Sequence, residues 1–210
     1  MNVFSYGTEA LLAEVDSPDE AAALWAQLTA SPPPGTTETV PGLRTVLIRF
    51  DPRTTDARAL ASQLTDLADG APPPAVGTRR QAGEAVLVRV SYDGDDLDDV
   101  AAYTGLTVDA VIAAHQAPTY RVTLIGMAPG FYFLSGGDPR LDVPRRPSPR
   151  QQVPRGAVGL AGPLTGIYPK QGPGGRQLIG QVLDDLWHAT RLPAALLAPG
   201  AAVRFSAANG

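Results

Sequence analysis

Apolar residues recur with two different periods along the first seventy positions. Asn2–Tyr6 and Ala10–Val15, short apolar runs on either side of Gly7, predict two strands. From Ala21 the spacing changes to three and four, so that Ala21, Leu24, Trp25 and Leu28 form one face of a helix. Ser17, Pro18 and Glu20 stand before it as a capping box: a hydroxyl for a free backbone N–H, a ring suited to the first helical position, and an acid to bond back. The run SPPPG ends this helix. Arg44–Phe50 reads as a strand, and a second helix runs from Asp56 to Asp69, with Leu60, Leu64 and Leu67 inward and Gly70 as its stop. Strand, strand, helix, strand, helix predicts a small α+β layer in which one sheet is covered on one face.

Three consecutive prolines make Ala71–Gly83 a stiff spacer. A boundary is therefore expected near residue 80, with a small α+β domain over 1–80 and a second domain over 81–210. Alternation resumes in Ala85–Tyr92, a strand. Asp95–His115 reads as two short helices divided at Thr104-Gly105, with Thr107 capping the second. Such a pair invites comparison with a helix-turn-helix, but its five aspartates and lack of Lys or Arg would repel phosphates. It is expected instead to seal one end of a barrel. Tyr120–Gly126 is a further strand. Between Gly126 and Gly180, Gly and Pro recur every few residues, and the gaps hold the short apolar runs FYFL, AVGLAG, LTGIYP and RQLIG. Dense Gly and Pro exclude long helices and favour short strands joined by shaped loops. An apolar segment, Val182–Trp187, a turn at Pro199-Gly200 and a last strand, Ala202–Phe205, complete a mainly β domain, a barrel or sandwich.

Composition narrows the chemistry. A hydrophobic content of 44% and a charged content of 18% fit an ordinary globular protein, and a net charge of -4 argues against nucleic-acid or anionic-membrane partners. There is no Cys, and the two histidines, His115 and His188, lie far apart, so neither a disulfide framework nor a metal site is expected. The start MNVFSYGTEALL lacks the basic and apolar regions of a leader, and no apolar run approaches a membrane span, so a cytoplasmic location is expected. Gly172-Pro173-Gly174-Gly175 is followed by Arg176 and not by a Lys-Ser/Thr pair, so ATP is not held in a phosphate loop of that kind; no GxSxG elbow occurs either.

Candidate site residues cluster in and just before the Gly- and Pro-rich stretch. Five arginines, Arg140, Arg145, Arg146, Arg150 and Arg155, stand against two aspartates. They read either as a solvated basic loop or as a guanidinium cluster for a carboxylate or phosphate. Pro144, Pro147 and Pro149 hold the run extended, so Arg146 and Arg150 should share a face and bind the anion, while Arg145 points away into a structural or interface pair. Gly126, Pro129 and Gly130 read as a tight turn or as a row of peptide N–H groups facing a substrate carboxylate. Tyr168 and Lys170 would present a hydroxyl and the single ammonium side chain of the protein to the same mouth. His115 is either a helix-terminal cap, protonated against the carbonyl ends, or a general acid–base. Asp95, Asp96, Asp98 and Asp99 are read as helix-start acids, structural or solvated. Phe131, Tyr132 and Trp187, costly on a free surface, are expected at a heteromeric interface with Arg145.

GMAPGFYFL, DPRLDVPRRPSPRQQVPRGAVGLAG, TGIYP and PGGRQLIG, in this order, resemble the signature of the KipI-like family, also known as allophanate hydrolase subunit 1 and as the B subunit of bacterial 5-oxoprolinase. The resemblance extends to His115, Tyr120 and Arg121 and to VPGLRTVLIRFDP. It implies a cyclophilin-like barrel for the second domain. It also implies a non-autonomous subunit of a complex that opens 5-oxo-L-proline to L-glutamate with ATP hydrolysis. The partners implied are a KipA-like protein (allophanate hydrolase subunit 2, the C subunit of 5-oxoprolinase) and a third subunit, with ATP used by the assembled complex. Two other readings stay open: an inhibitor that binds a sensor histidine kinase, and a subunit acting on urea-derived allophanate. The chain departs from the family pattern at Met127, Tyr132, Arg176 and Gln181.

Overall fold

The structure, a computed structural model, describes residues 1–70 and 85–208. The proposed spacer and the boundary near residue 80 lie outside the described residues. The chain divides into two compact units, Met1–Gln81 and Ala82–Gly210.

In the first unit β1 (Asn2–Ser5) and β2 (Ala10–Glu14) form a hairpin, followed by α1 (Pro18–Ala30), β3 (Thr36–Pro41), β4 (Thr45–Phe50) and α2 (Ala57–Gly70). The four strands make one antiparallel sheet in the order β1-β2-β4-β3. Leu11, Ala13, Val46, Ile48 and Phe50, at alternate positions, bury one face of it against Leu24 and Leu28 of α1 and Leu60 and Leu64 of α2. The Ser17 hydroxyl accepts from the Glu20 backbone N–H at 3.2 Å. The returning acid reaches the backbone N–H of Asp16, one residue earlier than a capping box places it, at 3.3 Å. Strand β3 was not expected. Its sequence, TTETVP, lacks apolar alternation because it is an edge strand, largely solvent-facing and bulged between Thr36 and Glu38.

The second unit is a closed barrel of seven strands: β5 (Val86–Ser91), β6 (Tyr120–Ile125), β7 (Tyr132–Ser135), β9 (Ala157–Ala161), β10 (Leu164–Ile167), β12 (Gln177–Val182) and β13 (Ala202–Ala207). Around the wall the order is β10-β7-β6-β13-β5-β12-β9, antiparallel except where β13 runs parallel to β5. The expected architecture, an α+β unit followed by a mainly β barrel, is the one observed. Alternate residues fill the interior, among them Val88, Val90, Val122, Leu134, Val158, Ile167, Ile179 and Phe205. Helices α3 (Leu97–Thr104) and α4 (Val108–Gln116) pack on that core through Val100, Ala101, Val111 and Ala114. A two-stranded ribbon, β8 (Arg150–Val153) with β11 (Gly172–Gly174), was legible only as loop. Its Val153 joins Phe133, Leu164 and Leu178, which alternate with interior residues and so face outward, in a second apolar layer on the outer wall.

Two glycines let the chain after β5 press against β12. A Cβ at Gly94 would stand 2.4 Å from the backbone of Leu178 and Gly180, and one at Gly180 only 2.2 Å from the Ser91 carbonyl oxygen. Backbone on both sides leaves no room to yield. Gly180→Ala is therefore expected to lower unfolding stability by about 1–3 kcal/mol, read as a lower urea midpoint at an unchanged slope.

Candidate functional site

Asp96 lies at the start of α3, yet its side chain makes no bond to its own helix. Its carboxylate is 1% exposed and turns inward instead. Oδ2 accepts from Nη1 of Arg150 at 2.7 Å and from the Leu178 backbone N–H at 2.7 Å; Oδ1 accepts from Nη2 of Arg150 at 2.8 Å and from Nη1 of Arg146. The Asp96 backbone N–H returns to the Leu178 carbonyl at 2.9 Å. Arg146 and Arg150 thus share a face, as the extended Pro-rich run predicts. Both are already bound to this acid, whose desolvation they offset. The candidate anion binders are thus engaged in an internal ion cluster in this structure. Burial pushes the Asp96 pKa up, but the Arg150 bonds, the Leu178 N–H and the charges of both arginines outweigh it and hold the carboxyl below the usual carboxylate range. Of this cluster the sequence shows the two arginines; that Asp96 is their partner, fifty residues away, it does not.

Gly126, Pro129 and Gly130 form the turn between β6 and β7. The Gly126 N–H donates to the Phe131 carbonyl at 3.1 Å and the Phe131 N–H to the Ala128 carbonyl at 3.0 Å, so both of these donors close the turn. Met127, 82% exposed, holds a left-handed backbone with φ 65, a conformation costly for a side chain of its kind. Gly130 has φ 79, and a Cβ there would meet the Trp187 ring at 2.2 Å. Gly130, Gly156, Tyr168, Trp187, Arg155 and Asp185 line a cleft of about 30 Å³, room for one water. Phe131 and Tyr132 are buried, at 4% and 0% exposure, so they are core and not exposed interface aromatics. Phe131 packs on Phe133 and edge-on to Tyr168, and the Tyr132 hydroxyl donates to the Leu186 carbonyl at 2.7 Å. Trp187 is half-buried, and Arg145 and Lys170 are exposed.

His115 is fully buried in the barrel core. Nδ1 lies 2.8 Å from the Tyr92 hydroxyl and Nε2 3.3 Å from the Thr165 hydroxyl, and the ring stacks on Phe205 at 4.5 Å. Desolvation pushes its pKa down to about 3. It is a neutral core residue: neither the protonated helix cap nor an accessible acid–base. No group of three or more His, Cys, Asp or Glu among the described residues is placed to hold a metal ion. The Gly172–Gly174 run pairs with β8 as a ribbon strand.

The profile of the carboxyltransferase domain, subdomain C and D, matches residues 1–197. The chain belongs to this family, the KipI-like proteins. It is 43% identical over 122 residues to the 5-oxoprolinase B subunit of Escherichia coli O157:H7, covering 58% of this chain and 56% of that one. It is also 42% identical over 123 residues to the 5-oxoprolinase B subunit of Bacillus subtilis, covering 57% of this chain and 51% of that one. The chain spans about half the length of the curated relatives it matches. Among solved structures TTHA0988 superposes with a TM-score of 0.79 at 38% identity, over 97% of this chain and 41% of that one. Urea amidolyase of Kluyveromyces lactis shares the fold at a TM-score of 0.71 and 21% identity, over 99% of this chain and 15% of that one. No helix among the described residues is long and apolar enough to cross a membrane.

Two titrations follow from this KipI-like site. The depressed pKa of Asp96 means its stabilisation is present above the unfolded carboxylate value of about 3.9 and is lost as pH falls through the lower folded value. Asp96→Asn should lower stability at pH 7 by about 3–5 kcal/mol. The gap to wild type should narrow below about pH 4, measured by urea unfolding across pH. His115 is likewise depressed, so protons bind the unfolded chain first and stability falls as pH drops from about 6.5 towards about 3. In that window this residue contributes a slope of about 1.4 kcal/mol per pH unit, which His115→Gln should remove.

Proposed function

We propose that this chain is the B subunit of an ATP-dependent 5-oxoprolinase and acts only with partner subunits to open 5-oxo-L-proline to L-glutamate in the cytoplasm. The observation that carries the reading is the 43% identity over 122 residues to a 5-oxoprolinase B subunit. The site's chemistry supports a non-autonomous role. The single candidate acid–base, His115, is buried and neutral, Arg146 and Arg150 are engaged by Asp96, and the cleft beside Trp187 has room for one water and not for a substrate. A catalyst needs accessible groups within hydrogen-bonding reach of the reacting atoms. Those groups, and the ATP site, are assigned to a KipA-like subunit and a third subunit. The exposed Met127 and the half-buried Trp187, on and beside the β6–β7 turn, are the surface assigned to the KipA-like contact.

Reconstitution tests this reading. The purified chain, the KipA-like subunit and the third subunit, mixed with ATP and 5-oxoproline, should release glutamate, and omission of any one should reduce release to background. Full turnover by this chain alone, or equal turnover without it, would overturn the proposal. Replacing Met127 by Asp should weaken co-elution with the KipA-like subunit in size-exclusion chromatography while the chain itself stays folded.

A further inference from the structure

Arg176 carries a positive charge into the outer wall of the barrel. It is 2% exposed, and among the described residues no carboxylate pairs with it. Nη1 donates to the Leu164 carbonyl at 2.9 Å, and the guanidinium carbon lies 5.1 Å from the centre of the Phe133 ring. The wall beneath is shaped for it. Gly166 of β10 is the cross-strand partner of Gly159 of β9, with Phe133 next in β7 and Leu178 next in β12. The two facing glycines leave a trough between Phe133 and Leu178. A Cβ at Gly166 would come within 2.6 Å of Arg176 Nε, and one at Gly159 within 2.8 Å of Arg176 Cβ. Adjacent glycines weaken a strand, so the trough is maintained against local preference. An apolar side chain would fill it with no charge to desolvate.

Two further groups stand at the same place: the Arg146 backbone N–H bonds the Gly175 carbonyl at 2.8 Å, which sets the chain at Arg145 beside Arg176, and a Cβ at Gly174 would meet the Tyr168 hydroxyl at 2.3 Å. Burial lowers the Arg176 pKa to about 10; Tyr168 opposes that shift, and the charge of Arg145 adds to it. The Tyr168 hydroxyl, itself pushed up by burial and so kept protonated, feels Arg176, Arg145 and Arg150 together. Asp96 neutralises Arg150, but Arg145 is exposed and has no ion pair among the described residues.

We propose that Arg176 and Arg145, with the Tyr168 hydroxyl, form a binding site for a small oxyanion, a carboxylate or phosphate, which supplies the negative charge this part of the fold lacks. Each element has a task. The Phe133 ring sets the plane of the guanidinium, and the Leu164 carbonyl occupies one end of its fork. The remaining N–H donors and the phenol O–H are left for the anion. Arg145, at the surface, draws the anion in. The ribbon β8–β11, whose Val153 closes the same apolar layer, shields the bound charge from water.

The full-length chain is titrated with inorganic phosphate, with acetate and with 5-oxoproline, each against sodium chloride at equal ionic strength, by calorimetry and thermal unfolding. The choice of 5-oxoproline alone rests on the proposed function. Saturable binding and a rise in Tm beyond chloride are expected. Arg176→Met should weaken binding about tenfold or more, and should unfold without anion at an equal or higher temperature, because a buried charge is gone. Tyr168→Phe and Arg145→Gln, which leave the trough intact, should each weaken binding and so keep the test decisive if Arg176→Met does not fold. A response to phosphate alone marks a phosphoryl site, and a response to the carboxylates alone marks a carboxylate site. No response beyond chloride in wild type, or wild-type affinity in these variants, would overturn the proposal. Anion binding by a chain that adds nothing to glutamate release would uphold this site and remove the proposed function, so the two fail separately.

Discussion

One buried carboxylate holds the second unit's outer architecture in place. Asp96 joins three segments remote in sequence: the start of α3, the backbone of β12 at Leu178, and the Pro-rich run carrying Arg146 and Arg150. A carboxylate at 1% exposure is tolerable only because each oxygen has more than one donor. Arg150 opens strand β8, and the Arg146 backbone N–H bonds the Gly175 carbonyl at 2.8 Å just after β11. The same ion cluster therefore fixes both strands of the ribbon that covers the outer wall. Loss of the acid would leave two guanidinium groups without a partner and release the ribbon from the barrel.

The ribbon in turn defines what surrounds Arg176. Asp96, His115 and Arg176 are all buried in this barrel, and each meets burial in a different way. Asp96 keeps its charge by pairing. His115 gives its charge up, held neutral between the Tyr92 and Thr165 hydroxyls. Arg176 does neither: its pKa falls only to about 10, so it remains a cation at neutral pH. An uncompensated internal cation raises the energy of the fold unless an anion joins it. That asymmetry, more than the density of arginines at the surface, marks where a ligand's charge belongs.

How much was legible from residues alone differs from element to element. The period-three-and-four spacing of Ala21, Leu24 and Leu28, the Ser17 cap and the Thr107 cap each report on neighbours within one helical turn, and each appears in the structure. The short apolar runs between Gly126 and Gly180 become β7, β9, β10 and β12 because Gly and Pro bound them closely on both sides. Strand β3 and the β8–β11 ribbon were not legible. TTETVP is rich in β-branched residues but has no apolar alternation to reveal them as a strand, GPG carries no strand preference of its own, and both are ordered by the strands they pair with. The site divides in the same manner. The common face of Arg146 and Arg150 follows from an extended, proline-held backbone, whereas the buried states of Phe131, Tyr132 and His115 depend on which side of a closed wall each one takes.

By itself, the amino-acid sequence determined the capped helices, the strands bounded by Gly and Pro, the change from an α+β unit to a β-rich one, and the family, since each depends on residues close together or on motifs in fixed order. Tertiary structure alone decided which charges are paired. Asp96 finds Arg146 and Arg150 across fifty residues, and Arg176 finds no acid among the described residues. The physical reason is range: hydrophobic period and backbone preference act over a few residues, while the electrostatic state of a side chain is set by whatever barrel closure brings within a few ångströms of it.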